Sequence, residues 1–295
     1  MTTSGLVVVD KPAGWTSHDV VARIRRLAHT RRVGHAGTLD PMATGVLVIG
    51  VEKATRLLRY LALADKSYTA TIRLGQATTT DDAAGELIAS APVSDVTAER
   101  LAAAIATLTG EQEQVPSAVS AIKVMGQRSY ARVRAGEDVV RAPRPVHVSR
   151  FEPTAIRPVA GDLLDIDVIV ECSAGTYVRA LARDLGSGLG VGGHLTALRR
   201  TRVGPFRIAQ ATTLDELAQR ADPVTLSLPD AVRAAMPVRS VSAGEARELS
   251  FGRPILSIGH KGIYAACTVS DGCVIALLEE TAEKARPVLV FAPAT

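Results

Sequence analysis

Cysteine, aromatic residues, lysine and long apolar runs are all scarce in this chain of 295 residues. The three cysteines, Cys172, Cys267 and Cys273, are too few and too scattered for a disulfide framework. None stands in a Cys-x-x-Cys pair or beside paired histidines, so buried thiols are expected and a metal site is not. Aromatics make up 3% of the chain, with a single tryptophan, which leaves the core to aliphatic side chains. No segment reaches eighteen consecutive apolar residues, and residues 1–10 lack a basic leader, so neither a membrane span nor secretion is expected and the chain is placed in the cytoplasm. Only six residues are lysine, against 28 arginines, within a net charge of +4. Arginine's planar fork suits bidentate phosphate contacts. It gathers at Arg23, Arg25, Arg26, Arg31 and Arg32, at Arg128, Arg132, Arg134, Arg141 and Arg144, and at Arg199, Arg200, Arg202 and Arg207. A solvated helix face accounts for any one cluster, whereas three of them point to RNA.

What is present reads as an α+β protein. Leu6-Val7-Val8-Val9 is a short buried strand followed by turn chemistry at Asp10-Lys11-Pro12-Ala13-Gly14. A helix then starts with Ser17 as the expected N-cap, burying Val20, Val21 and Ile24 and leaving Arg23, Arg25 and Arg26 toward solvent. Strands are expected at 46–51, 67–74 and 163–172, and helices at 54–63 and 98–108, without a βαβ rhythm. Residues 115–145 break the pattern with Pro, Gly and Arg, as an inserted loop does. A helix is expected from Tyr177. Gly188 to Gly193 matches a dinucleotide fingerprint in letters alone, because it follows a helix rather than a strand, so no cofactor is expected. From about Asp222, with Pro223, Pro229 and Pro237, a linker is expected, then a small β-rich module in which Ser242 caps a helix over 243–249.

The densest chemical signal is Gly34-His35-Ala36-Gly37-Thr38-Leu39-Asp40-Pro41-Met42-Ala43-Thr44-Gly45-Val46-Leu47. Glycines at 34 and 37 allow close approach, and Pro41 biases Asp40 away from helix, so the loop presents one carboxylate. An Asp-Pro turn that merely bonds its own backbone is the plainer alternative.

That run resembles the aspartate motif of the TruB family of bacterial tRNA pseudouridine synthases. The resemblance covers about the first 210 residues. Lys11-Pro12 resembles the family's structural Lys-Pro motif, Lys66-Ser67-Tyr68 the strand of its base-stacking tyrosine, and Gly175-Thr176-Tyr177-Val178-Arg179 its arginine motif. Leu198 in Leu195-Thr196-Ala197-Leu198-Arg199-Arg200 matches the leucine lining its uracil pocket, and 115–145 its thumb insertion. The resemblance implies a pseudouridine synthase fold with a mixed, mainly antiparallel sheet over residues 1–228, then a PUA-like RNA-binding domain over 236–295. It implies Asp40, Tyr68 and Arg179 as catalytic, His35, Tyr177 and Leu198 as substrate-binding, and Arg23, Arg25, Arg26, Arg31, Arg32, Arg128 and Arg132 as RNA-binding. The implied substrate is the T-arm stem-loop of tRNA, taken by a monomer with no cofactor or metal.

The residues suit that chemistry. Isomerising uridine breaks the C1′–N1 bond, turns the base and joins C5 to C1′, which needs one ionised carboxylate and no redox change. Arg179 can keep Asp40 anionic, and Tyr68 offers a face for an extruded base. Two other classes stay open. A glycosidase-like hydrolase needs a second carboxylate, and no Asp or Glu lies within ten residues of Asp40. Intact Asp40, Tyr68 and Arg179 argue against a non-catalytic RNA-binding chaperone, whereas guide-RNA-dependent synthases share these motifs.

Overall fold

The structure, a computed structural model, describes residues 3–117 and 142–294, with the backbone of 123–124 and 127–128. In chain order the first strands are β1 (Gly5–Lys11), β2 (Val33–Ala36), β3 (Thr44–Val51), β4 (Lys66–Leu74), β5 (Gln76–Thr78), β6 (Leu87–Ser90) and β7 (Gly110–Gln114). Then come β8 (Lys123–Val124), β9 (Gln127–Arg128), β10 (Arg144–Val159), β11 (Leu163–Cys172), β12 (Gly193–Val203), β13 (Phe206–Arg207) and β14 (Leu226–Ser227). The helices are α1 (Ser17–Leu27), α2 (Leu58–Leu61), α3 (Ala98–Thr107), α4 (Val178–Leu189), α5 (Leu214–Ala218), α6 (Leu228–Ala235) and α7 (Ala243–Ser250). The main sheet runs β14-β1-β3-β12-β4-β11-β10-β7, with β2 on β3 and β13 on β12.

Hydrophobic patterning divides this sheet into two halves. In β1, Leu6 and Val8 enter one core while Val7 and Val9 enter another, and β3 splits the same way through Val46 and Val48 against Leu47 and Ile49. A strand covered on both faces needs apolar residues at every position, which explains the unbroken run at Leu6 to Val9. In β4 and β11 only one face is covered. Tyr68, Ala70 and Ile72 pack with Ile166, Val168 and Val170. On the other face Thr71 donates to Asp167 at 2.7 Å, and Arg73 grips Asp165 through Nε at 2.8 Å and Nη2 at 2.9 Å. Helix α4 seals the covered face with Leu181, Ala182, Leu185 and Leu189. Each such aliphatic side chain contributes about 1.5–3 kcal/mol on burial.

Pairing in the main sheet is antiparallel except between β12 and β3, which meet in parallel at Arg199↔Thr44 and Arg200↔Gly45. That short contact lies directly after the Asp40 loop, so the loop sits over the middle of the sheet beside β12 and β4. The mixed, mainly antiparallel sheet expected from the sequence is therefore the one observed.

Several local expectations change. Thr16, not Ser17, caps α1: its hydroxyl accepts from Asp19 N at 3.1 Å while the Asp19 carboxylate accepts from Thr16 N at 2.9 Å. The stretch 54–63 is a 3₁₀ turn (Glu52–Leu57) running into the single turn α2. The expected linker is structured, because β14 pairs with Gly5 and Leu6 of β1 and α6 begins with Pro229 in its first turn. Proline fits there since the N–H it lacks has no intrahelical partner anyway. Cys172 and Cys267 are buried but Cys273 is exposed. Arg144 and Pro145 already belong to β10, paired with Gln114 and Glu113, so the insertion ends before them. The rest of the 115–145 reading falls almost wholly outside the described residues.

The C-terminal sheet joins β15 (Val238–Val241), β17 (Tyr264–Thr268), β18 (Val274–Glu280), β19 (Lys284–Val290) and β16 (Ile255–Leu256) in that order. Ser242 caps α7 in a capping box with Glu245, as expected. Ala265, Val274, Leu277 and Phe291 share one apolar cluster with Leu6, Val8, Leu57 and Phe206, so the C-terminal sheet packs against residues of β1, β13 and the 3₁₀ turn before α2. Among the described residues no helix is long and apolar enough to cross a membrane.

Candidate active site

Asp40 is held by its neighbours on both sides. Before it, the Ser17 hydroxyl accepts from Leu39 N at 2.9 Å and donates to Leu39 O at 3.1 Å. After it, Pro41 O accepts from Gly14 N at 2.8 Å and from Lys11 Nζ at 3.3 Å. Lys11 and Ser17 are both buried. The start of the loop hangs on Arg200, whose Nη2 and Nη1 donate to Gly37 O and Thr38 O at 3.1 and 3.2 Å while Nε donates to Val46 O at 2.7 Å. Two glycines make this possible. Gly37 takes φ +82°, and Gly45 takes φ +101° at a point where a Cβ would lie 2.2 Å from Arg200 O. A side chain at 45 would force β3 away from β12.

The Ser17 bridge gives a direct test. Ser17→Ala leaves a buried N–H and a buried C=O at Leu39 without their hydroxyl partner, so chemical unfolding is expected to show a loss of about 1–3 kcal/mol. No loss of stability would mean that the loop is set by Lys11 and Arg200 alone.

The Asp40 side chain remains 34% exposed toward a cavity of about 320 Å³, where Arg179, itself 4% exposed, meets it with Nε at 3.0 Å from Oδ2. Arg179 Nη1 donates to Thr80 O at 2.8 Å, and Asp82 Oδ2 lies 3.7 Å from the same Nε. The fold thus brings to the Arg179 guanidinium a second carboxylate from beyond the ten residues on either side of Asp40, where the sequence has none. Asp82, however, is buried and already accepts from Thr80 Oγ1 at 2.5 Å and Ala84 N at 3.0 Å, which fixes it as a support for Arg179 rather than a second acid at the cavity.

Tyr68, Tyr177 and Leu198 line the same cavity with Asp40 and Arg179. Tyr68 is buried in β4, and desolvation raises its phenol above the ordinary value. Tyr177 caps α4 and is clamped by Gln114, which accepts from its N at 2.7 Å and donates to its O at 3.1 Å. His35 is not in the cavity wall; it lies on β2 opposite Ile49, edge-on to His18 with ring centroids 5.5 Å apart. Burial first, then the neighbouring His18 and Arg200, lower its pKa.

The arginine clusters separate. Arg25, Arg26, Arg31 and Arg32 are exposed on α1 and the turn after it, with Arg23 half-buried. Arg128 and Arg132 lie outside the described side chains. Three of the four arginines in the third cluster are paired or buried, Arg199 with Asp10 at 2.7 Å, Arg202 with Glu171 at 3.1 Å and Arg200 at 1% exposure, while Arg207 is exposed. Sequence reasoning missed the structural parts of Gln114, Thr80, Asp82 and Arg200. For Arg200 a signal existed, since adjacent residues on a strand face opposite ways.

A central mixed sheet with the Asp40 carboxylate paired to Arg179, in a cavity that the buried Tyr68 also lines, points to a pseudouridine synthase. The chain belongs to the TruB family. The sequence model described as TruB family pseudouridylate synthase (N terminal domain) matches residues 25–178. Those described as tRNA pseudouridylate synthase B C-terminal domain and tRNA Pseudouridine synthase II, C terminal, match 179–228 and 236–292. Similar chains called tRNA pseudouridine synthase B include one from Arthrobacter sp., 59% identical over 98% of this chain and 97% of its own length. Another, from Rhodococcus jostii, is 61% identical over 99% and 95%. Among solved structures, a chain of the archaeal box H/ACA sRNP Nop10-Cbf5 complex superposes with TM-score 0.71 at 25% identity, covering 98% of this chain and 86% of that one.

Proposed function

We propose that this enzyme isomerises uridine to pseudouridine at position 55 in the T loop of tRNA, acting as a monomer in the cytoplasm on a flipped-out base. The observation that carries the reading is the Asp40 carboxylate, fixed at residues 39 and 41 and turned to Arg179 at the cavity. Asp40 is the group that attacks C1′, attacks C6 of the uracil or abstracts a ribose proton, Arg179 holds it, and Tyr68, Tyr177 and Leu198 receive the base. His35, edge-on to His18 five residues before Asp40, is suited to the loop that the base vacates. Residues 1–228 form the catalytic domain, with an insertion that starts near 115 and ends before Arg144 as a thumb, and 236–295 a PUA-like RNA-binding domain. Relatives named as synthases of tRNA support the substrate class.

Incubating unmodified tRNA with the protein and mapping pseudouridine by position tests the reading. Conversion confined to the T loop supports it, while release of free uracil identifies a hydrolase and binding without conversion identifies a chaperone. The exposed arginines on α1 give a second expectation. If they grip T-arm phosphates, Arg26→Ala with Arg31→Ala lowers the slope of log affinity against log salt by about one unit per lost contact. An unchanged slope in a filter-binding titration removes this face from the RNA path.

A further inference from the structure

The charges around the cavity do not balance. Asp40, Lys66, Arg179 and Arg200 line it. Arg179 has two carboxylates near its Nε, Asp40 at 3.0 Å and Asp82 at 3.7 Å. Lys66 and Arg200, 6% and 1% exposed, have no carboxylate within 4.0 Å among the described residues. Lys66 Nζ donates instead to Ala62 O at 3.0 Å and Ala64 O at 2.7 Å, and Arg200 donates to the three loop carbonyls already described. Asp65 faces solvent and only tempers Lys66 from a distance. Burial pushes the Lys66 amine down to about 8, which still leaves it mostly charged at neutral pH. Two buried cations held by neutral carbonyls keep a positive charge that no neighbouring carboxylate neutralises, so it is available to an anion that arises in the cavity.

The proposed reaction forms one. When the C1′–N1 bond breaks, its electron pair stays on uracil, whose ring carries it as an anion shared by N1, O2 and O4. Asp40 gives up its negative charge at the same time, by bonding an oxygen to C1′ or by taking the 2′ proton. The bond from C5 to C1′ then uses an electron pair of the ring. Asp40 departs with its own pair or returns its proton, C5 loses a proton and N1 gains one. The site's negative charge thus moves from Asp40 to the base and back, while Asp82 keeps Arg179 partnered throughout. We propose that Lys66 and Arg200 supply the fixed positive charge that stabilises the detached uracil anion, an inference that rests on reading the cavity as the site of uridine isomerisation. Donors preorganised toward charge that develops only during the reaction raise the rate without tightening substrate binding.

The test uses two T-arm hairpins that differ only in carrying uridine or 5-fluorouridine at the target. Fluorine withdraws electrons and stabilises the base anion by itself. Lys66→Gln keeps an amide able to donate to the same carbonyls but removes the charge. Single-turnover cleavage of the C1′–N1 bond, read as loss of the target nucleoside after digestion, is expected to fall about 100-fold with uridine. With 5-fluorouridine the fall is expected to stay under about 10-fold, because the substituent supplies part of what the lysine gave. Lys66→Arg, which restores the charge, is expected within about 10-fold of the unaltered enzyme on both hairpins, and Arg200→Lys repeats the contrast between bases from the other side of the cavity. Equal losses on the two hairpins, with hairpin affinity and thermal unfolding intact, mean that Lys66 only shapes the wall and overturn the proposal. Weaker, less salt-sensitive binding with unchanged cleavage overturns it in favour of a phosphate contact. Failure of the unaltered enzyme to convert the uridine hairpin strikes the parent reading instead, whatever the variants do.

Discussion

Asp40→Asn is expected to fold, to bind substrate RNA and to convert at least about four orders of magnitude more slowly, a barrier increase of ~5.5 kcal/mol. The reasoning starts from what the substitution leaves alone. The loop is fixed through its main chain, by Ser17 at Leu39, by Gly14 and Lys11 at Pro41 and by Arg200 at Gly37 and Thr38. None of these contacts uses the Asp40 carboxylate, so an amide of the same size keeps the loop and the cavity. What disappears is the anion, and with it both the ability to bond an electron-poor sugar carbon and the ability to take a ribose proton. Arg179 retains Asp82 and Thr80 O and so is not left as an unpaired buried cation. Single-turnover conversion of a T-arm hairpin, with affinity measured in parallel, checks the expectation. A variant within about tenfold of the unaltered enzyme, ~1.4 kcal/mol in barrier, would place the chemistry elsewhere.

The elements that could be read from the sequence are those whose local pattern is strong. β11 alternates over Leu163–Cys172 and folds with the bounds expected, and β1 reads as a continuous apolar run because both of its faces are covered. The aspartate loop, Tyr68 and Arg179 came from motifs, and the fold brings all three to one cavity. The misassignments have identifiable causes. Ser17 and Thr16 are both good caps, and the deciding residue is Asp19, which completes a capping box three positions after Thr16. That frees Ser17 for a buried role that no helix-start pattern encodes. Arg200 looked like one of a basic patch because Arg199, Arg200 and Arg202 are close in sequence. On β12 they turn to different surroundings, with a register shift between Arg200 and Arg202. Asp82 was out of reach altogether, since its approach to Arg179 depends on the loop between β5 and β6 folding back to bridge Leu195.

Arg179→Lys is expected to lose about 10³-fold in turnover, close to the loss in Arg179→Ala, although it preserves the charge. In the folded protein this arginine does three things from one planar group. Its Nε donates to Asp40 at 3.0 Å and faces Asp82 at 3.7 Å, while Nη1 donates to Thr80 O at 2.8 Å. Asp40 stands 139 residues before it and Thr80 99 before it, so the guanidinium ties the aspartate loop to the turn after β5 as well as to α4. A lysine ammonium is a compact donor on a flexible stem and cannot span those positions with fixed angles. If it settles against Asp82 and Thr80 O, Asp40 is no longer aligned; if it follows Asp40, Thr80 O and Asp82 lose their partner in a buried setting. Either arrangement displaces the carboxylate by an amount that matters for a reaction needing near-contact alignment. The loss should therefore appear mainly in the saturated rate, with hairpin affinity little altered, because the arginines on α1 and not Arg179 are the expected phosphate contacts. Near-normal saturated turnover in Arg179→Lys would show that positive charge near Asp40 suffices, and that the three-way geometry of the guanidinium serves stability alone.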